Sequence, residues 1–155
     1  MKSKLGFSIP DINVARSKIK DKLVVTPVLP LMSDRWTELL PIDTQVFVKL
    51  ELFQQAGSFK ARGAFLGMDC LSFEQKNRGV IAASGGNHAL AVSWAAAAAG
   101  VNAKITMPKA TDPYRIDGCK SMGAEVILCE DIADAFQVMN SLEKAEGRVM
   151  MHPFD

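Results

Sequence analysis

The sequence predicts an α/β fold, a three-layer αβα arrangement around a parallel sheet, from three observations. From residue 79 onwards, short apolar segments alternate with helix-like segments, the order typical of a parallel sheet covered on both faces. Residues that favour helix starts and stops stand at the boundaries of these segments. Apolar residues make up 48% and charged residues 23% of the 155-residue chain, which is the balance of one globular domain.

The first part of the chain predicts two helices and two extended segments. Asp11 is expected to cap a helix that runs to about Leu23, because apolar residues then follow with helical spacing. Residues 26–32 contain two prolines and are expected to be extended. Residues 46–52 alternate apolar and polar side chains as a strand does, and Ser58 is expected to cap the next helix.

The second part of the chain predicts a regular alternation of strands and helices. Gly100 is expected to stop the helix that follows the first of these strands. Thr111 or Asp112 caps the next helix with Pro113 in its first turn, and Asp131 starts the last helix. The four strands are expected at 79–84, 103–108, 124–129 and 148–152.

Charge and composition exclude several functional classes. The net charge of +1, from 18 basic and 17 acidic residues, gives no reason to expect nucleic acid or a membrane surface as a partner. The apolar run 89–101 is too short to span a bilayer, and the N-terminus lacks a signal-peptide pattern. Only His88 and His152 are histidines and no C-x-x-C occurs, so we expect no metal site. An odd number of cysteines predicts reduced thiols in a cytoplasmic protein: Cys70, Cys119 and Cys129.

The motif GSFKARGA, residues 57–64, places Lys60 at the expected start of a helix. The positive end of the helix dipole, together with burial, favours the neutral form of a lysine amine. A neutral amine is a nucleophile for carbonyl groups and a general base, the chemistry needed to hold pyridoxal phosphate covalently. The alternative interpretation is an exposed, charged lysine in a first helical turn.

The motif SGGNHA, residues 84–89, joins a predicted buried strand to a helix N-terminus. Its two glycines allow the backbone to approach a ligand closely, and the N–H groups of a first helical turn favour an anion. The pattern is neither G-x-G-x-x-G nor a P-loop, although a nucleotide-binding module resting on Gly85 and Gly86 is one alternative. The other alternative is a tight connection without a ligand.

Taken together, the two motifs predict a ligand site, because ligands bind outside the carboxyl ends of the strands in open parallel sheets. The sequence resembles the fold type II pyridoxal-phosphate enzymes, in particular the N-terminal half of the threonine/serine dehydratase (ammonia-lyase) branch. The similarity extends from about residue 12 to the last residue. It is carried by the stretches TPVLPL, VFVKLELFQQAGSFKARGA, GVIAASGGNHALAVSWAA, KITMP, MGAEVIL and HPFD.

The resemblance implies a role for each residue of the two motifs. Lys60 would be the catalytic residue that carries the cofactor, with Phe59 beside it and Asn87 bonded to the 3′-hydroxyl of the pyridine ring. The substrate carboxylate would be held by a stretch that comprises Ser84, Gly85, Gly86, Asn87 and His88.

The implied reaction is β-elimination from threonine or serine, which gives a 2-oxo acid and ammonia. After the substrate displaces Lys60 from the cofactor, the freed amine would remove the α-proton. A serine-racemase-like activity is an alternative, but racemases carry a second serine where this chain has Gly85. The sequence Lys-Ala-Arg at residues 60–62 argues against the cysteine-synthase branch, which has Lys-Asp-Arg. Dehydratases carry a lysine near Arg115, a difference that we interpret as confined to the surface.

The resemblance also predicts a domain organisation. Residues 1–55 would be an arm and strand of a large domain, 56–150 the small domain, and 151–155 the return towards the large domain. In the family the glycine loop that binds the cofactor phosphate comes later, so we expect the 155-residue chain alone to be inactive. The alternative function is that of a non-catalytic interaction module. We expect residues 1–55 to pack differently from the family or to pair with a second chain, which predicts a homo-oligomer such as a dimer.

Overall fold

The structure, a computed structural model, describes residues 6–31, 39–41 and 43–153. Two short 3-10 turns, Glu51–Phe53 and Gln55–Gly57, precede the second described helix. The described helices are α1 Ile9–Ile19, α2 Lys60–Asp69, α3 Phe73–Arg78, α4 Asn87–Ala99, α5 Pro113–Ser121 and α6 Ile132–Glu146. The described strands are β1 Val28–Pro30, β2 Phe47–Lys49, β3 Val80–Ala83, β4 Ala103–Pro108, β5 Glu125–Cys129 and β6 Val149–Met150.

The parallel sheet predicted from the alternation is confirmed. Its four strands lie in the order β5-β4-β3-β6, and all neighbouring pairs are parallel. Val80 pairs with both Ala103 and Val149, so the strands start near one edge and their carboxyl ends share the opposite edge. The turns that follow β3 and β4 are therefore brought to one side of the sheet, where ligands bind in such folds.

Helices cover both faces of this sheet. Successive residues of β3 point in opposite directions, so they pack against helices on opposite faces. Val80 and Ala82 belong to a core cluster shared with Phe65 of α2 and Val92 of α4. The intervening residues of the strand belong to a second cluster, which includes Met139 of α6. This arrangement confirms the three-layer αβα architecture.

Local signals place the helix boundaries of the second half as predicted. Gly100 has a φ of +66° directly after α4. The carboxylate of Asp112 accepts the backbone N–H of Tyr114 at 2.8 Å, and Pro113 is the first residue of α5. Asp131 caps α6 in the same way. The caps use short-range contacts, which is why the sequence pattern is sufficient to locate them.

The start of α1 was predicted wrongly. The helix begins at Ile9, three residues before the expected position, and ends at Ile19 rather than near Leu23. Ser8 precedes the helix, and its N–H donates to the Asp11 carboxylate at 2.8 Å. Because proline fits the first turn of a helix, Pro10 allows this earlier start. The prediction had assigned to Asp11 the capping position that Ser8 occupies.

The strand predicted at 46–52 is shorter in the structure, Phe47–Lys49. β2 forms an antiparallel ribbon with β1, in which Val28 pairs with Lys49, and it is not part of the parallel sheet. The Gln54 side chain closes the ribbon, because its amide donates to the Val24 carbonyl at 2.8 Å and accepts the Val24 N–H at 3.0 Å. The ribbon exposes apolar side chains such as Val28 and Phe47. Their coverage by a second chain remains a prediction.

No helix in the described part of the chain is long and apolar enough to cross a membrane. Among the same residues, no group of three or more histidine, cysteine or acidic side chains is placed to hold a metal ion. Cys119 and Cys129 are buried, and Cys70 is exposed. Burial raises the pKa of the Cys119 thiol, as expected for a sulfur packed in an apolar core.

Candidate active site

Lys60 is the first residue of α2, but Ser58 does not cap this helix as predicted. Phe59 takes the cap position with helical backbone angles, φ −59° and ψ −20°. Ser58 therefore lies one residue too early, with an extended backbone. Its hydroxyl is buried and has no hydrogen-bond partner among the described residues. The structure thus leaves a buried polar group two residues from the candidate cofactor lysine.

Lys60 extends into a cavity of about 650 Å³. Its ammonium group donates to the Pro153 carbonyl at 2.5 Å, and Nζ lies 5.5 Å from the centre of the Phe59 ring. Cavities of this volume are typical of small-molecule sites. The lining also includes Gly63, Gly67, His88, Met151 and His152. The lysine amine therefore stands in a concave site with an aromatic wall, as the resemblance implies.

His88, the second residue of α4, shares this cavity with Lys60. Its Nε2 lies 2.8 Å from the Met151 carbonyl, so this nitrogen must carry the proton and donate it. Burial lowers the pKa of His88, although the Met151 carbonyl opposes this effect, while the nearby Lys60 and His152 reinforce it. His88 and Lys60 thus both hold the segment that follows β6, through carbonyls two residues apart.

The turn between β3 and α4 is built from Ser84, Gly85 and Gly86. The Ser84 N–H donates to the Thr106 carbonyl at 3.0 Å, and the Ser84 hydroxyl accepts the Gly86 N–H at 3.1 Å. No side chain among the described residues caps α4. The Ala89 N–H donates to the Gly86 carbonyl at 3.1 Å, which leaves the N–H groups of Asn87 and His88 for an anionic ligand, as the motif predicts.

Asn87 faces a second cleft of about 750 Å³, next to the cavity around Lys60, which the adjacent His88 lines. Its side chain is exposed, whereas the adjacent His88 is buried. The second cleft is also lined by Gly57, Leu90, Asp112, Tyr114 and Arg115. The structure thus brings Lys60, Phe59 and His88 together but places Asn87 on the neighbouring surface at the same helix start.

Arg115 corrects the interpretation that its difference from a lysine is confined to the surface. The residue is only partly exposed, and its Nη1 donates to the Gly85 carbonyl at 3.3 Å. It therefore contacts the turn predicted to hold the substrate carboxylate. The sequence offered no signal for this contact, because thirty positions separate the two residues.

A second contact that the sequence did not predict joins α2 to the 3-10 turn that follows the ribbon. The Arg62 guanidinium binds the Glu51 carboxylate with two hydrogen bonds, Nε to Oε2 at 2.8 Å and Nη2 to Oε1 at 2.7 Å. Thr26 also donates its hydroxyl to Glu51, at 2.5 Å. The Arg62 bonds lower the pKa of Glu51 to about 2, with smaller contributions from Thr26 and Lys49. This pair connects the helix that carries Lys60 to the 3-10 turn at the end of the ribbon.

The described residues fit pyridoxal phosphate, the cofactor implied by the resemblance. A lysine amine enters a cavity of suitable volume, and the Phe59 ring forms a flat apolar surface close to that amine. The buried Ser58 hydroxyl, without a partner among the described residues, adds an unused polar group near the lysine. The start of α4, which no described side chain caps, leaves the N–H groups of Asn87 and His88 for an anion.

Comparison with known proteins assigns the class defined by this fold and site. Residues 19–155 match the family model of pyridoxal-phosphate dependent enzymes. The chain therefore belongs to that family, as the motifs around Lys60 predicted. Its structural neighbours are fold type II pyridoxal-phosphate enzymes, and they share the α/β architecture described above.

The chain is similar to dehydratases in sequence and to a racemase in structure. It is 40% identical to phenylserine dehydratase of Ralstonia pickettii over 96% of this chain and 45% of that protein. It is 37% identical to the catabolic L-threonine dehydratase of Staphylococcus aureus, over 96% of this chain and 42% of that protein. Maize serine racemase superposes with a TM-score of 0.84 and 32% identity, over 96% of this chain and 44% of the racemase. The chain thus spans less than half the length of these relatives.

Proposed function

We propose that this chain forms the lysine-bearing half of a pyridoxal-phosphate-dependent dehydratase that eliminates water from a hydroxy amino acid. The observation that carries the proposal is the position of Lys60, with its amine in the cavity shared with Phe59 and His88. The names of the relatives support threonine or phenylserine as a substrate, and the resemblance adds serine.

Each residue has a role in this proposal. Lys60 binds the cofactor and, once freed by the substrate, accepts the α-proton at Nζ. The N–H groups and hydroxyl of residues 84–88 hold the substrate carboxylate, and the Asn87 amide holds the ring hydroxyl of the cofactor. Bound pyridoxal phosphate would supply the electron sink for the negative charge left at the α-carbon.

Gly85 favours elimination over the racemisation named for the maize relative. A two-sided proton transfer needs an acid/base group on the face opposite the lysine, and Gly85 has no side chain to supply it. A Cβ placed at this position would stand 2.6 Å from the Thr111 hydroxyl, so a serine there would require Thr111 to move. We therefore propose that the α-proton removed by Lys60 is not returned to the opposite face.

The chain should be assayed alone and co-expressed with the C-terminal part of the S. aureus relative that lies beyond the matched region. Alone, with added cofactor, we expect no measurable turnover of threonine or serine, because the resemblance places the phosphate loop in that part. Together, we expect equal amounts of 2-oxo acid and ammonia, and none in the Lys60→Ala variant. Formation of D-serine would contradict elimination.

The second candidate function is a non-catalytic interaction module, favoured by the apolar side chains that the ribbon exposes, such as Val28 and Phe47. It predicts no product from the chain alone or from the co-expressed pair, even though the chain is folded and reacts with the cofactor at Lys60. Clear turnover by the 155-residue chain alone would refute this candidate. It would also show that the phosphate loop is dispensable.

A further inference from the structure

The cleft next to the candidate cofactor site contains a cation that no described acidic group neutralises. Arg115 lines this cleft of about 750 Å³ together with Asn87. Asp112 and Asp117 line it as well, but none of the ion pairs formed by the described residues includes Arg115. The Asp112 carboxylate instead caps α5 through the N–H of Tyr114.

Most hydrogen-bonding capacity of the Arg115 guanidinium is unused. A guanidinium carries five N–H donors in a planar fork, and the contacts among the described residues account for one of them, to the Gly85 carbonyl. The same nitrogen lies 3.0 Å from where a Cβ on Gly86 would stand, so a larger residue there would require a small shift of the guanidinium. A partly buried guanidinium with free donors matches a carboxylate, which can accept two parallel hydrogen bonds.

The contact with Gly85 also fixes the orientation of the turn. In a trans peptide the carbonyl of one residue and the N–H of the next point in opposite directions. Arg115 holds the carbonyl of the Gly85–Gly86 peptide, and the Ser84 hydroxyl holds its N–H. The peptide is thus fixed at both ends, and loss of either contact would release the turn.

We infer that Arg115 is a substrate-binding residue: its guanidinium binds the carboxylate of the amino acid and holds the turn that shares this task. The inference rests on the proposed function, because it takes the turn of residues 84–88 as the carboxylate site. It adds a side-chain cation to a set otherwise made of backbone N–H groups and one hydroxyl.

The test is an NMR titration of the cofactor-free chain with acetate, following the amides of Gly85, Gly86 and Asn87. Arg115→Gln should weaken acetate binding at least about tenfold, as expected when a charge-assisted hydrogen bond is lost. Arg115→Lys should retain part of the affinity, because it keeps the charge without the fork. Lys120→Gln is the matched control, since it removes one positive charge from the same helix away from the cleft and should leave the affinity unchanged.

Hydrogen exchange of the Gly86 amide gives a second readout, which should become faster in Arg115→Gln but not in Lys120→Gln. Equal acetate affinity in wild type and Arg115→Gln would overturn the inference, as would the absence of acetate shifts at these amides in wild type. If Arg115→Gln does not fold, Arg115→Lys with unchanged affinity and exchange overturns it. Cofactor attachment at Lys60 is measured separately, and its result does not depend on the acetate titration. Attachment without an effect of Arg115 would mean that the inference fails while the proposed function stands.

Discussion

Glu51→Gln is expected to lower the free energy of unfolding at pH 7 by about 2 to 3 kcal/mol. The Glu51 carboxylate, with only 17% of its side chain exposed, receives two hydrogen bonds from Arg62 and one from Thr26. Its pKa of about 2 in the native state, against 4.5 for an ordinary glutamate, expresses how strongly these contacts favour the charged form. Urea unfolding followed by circular dichroism measures the loss.

The same pair predicts how stability depends on pH. Because folding lowers the pKa of Glu51, the stabilisation is complete above about pH 4.5 and is lost as pH falls towards 2. Glu51→Gln should remove this part of the acid dependence. Glu130→Gln is the matched control, because its ion pair with Lys109 is exposed and should contribute much less. Equal destabilisation by both variants would show that the Glu51–Arg62 pair is no more than a surface ion pair.

His88→Phe is expected to destabilise the chain at pH 7 by about 1 to 3 kcal/mol, the usual cost of a buried polar group that loses its partner. The ring would still fill the space, but the Met151 carbonyl would lose the N–H of His88. His88→Gln should recover much of the stability, because an amide can donate to the same carbonyl. Comparison of the two variants thus separates the contribution of the hydrogen bond to stability from the contribution of side-chain volume.

The lowered pKa of His88 also predicts a second pH range in which stability changes. Burial lowers the pKa of His88 below its ordinary value of 6.5, so the unfolded chain binds a proton more readily than the native chain. The free energy of unfolding should therefore begin to decrease below about pH 6.5, at higher pH than the decrease caused by protonation of Glu51. It should stop decreasing once pH has passed the lowered native pKa of His88. His88→Gln should abolish this decline and retain the one at lower pH. A decline of unchanged size between pH 6.5 and 5 in His88→Gln would contradict the assignment.

The sequence predicted the second half of the fold well because its signals are local. Pro113, Asp131 and Gly100 each act on the end of their own helix. The first half depends on pairing between distant segments, such as Val28 with Lys49. No local pattern specifies that register, so the predicted strand at 46–52 was too long and its partner was not foreseen.

The site shows the same division between local and distant contacts. The motifs placed Lys60 and His88 at two helix starts, and the packing of α2 and α4 around a common core brings them to one cavity. The bond from Lys60 to the Pro153 carbonyl spans 93 positions and could not be derived from spacing. The capping role expected of Ser58 failed because Phe59 adopts helical angles, which residue type alone does not determine.

The central claim is that Lys60 is the lysine that carries the cofactor, and its most direct test is site mapping of a reduced adduct. The purified chain is incubated with pyridoxal phosphate, reduced with borohydride, digested and analysed by peptide mass. We predict that the adduct forms predominantly on Lys60, and that in Lys60→Ala the corresponding peptide is unmodified without compensating gain elsewhere. Modification spread over exposed lysines such as Lys76 and Lys120, with Lys60 unmodified, would contradict the claim.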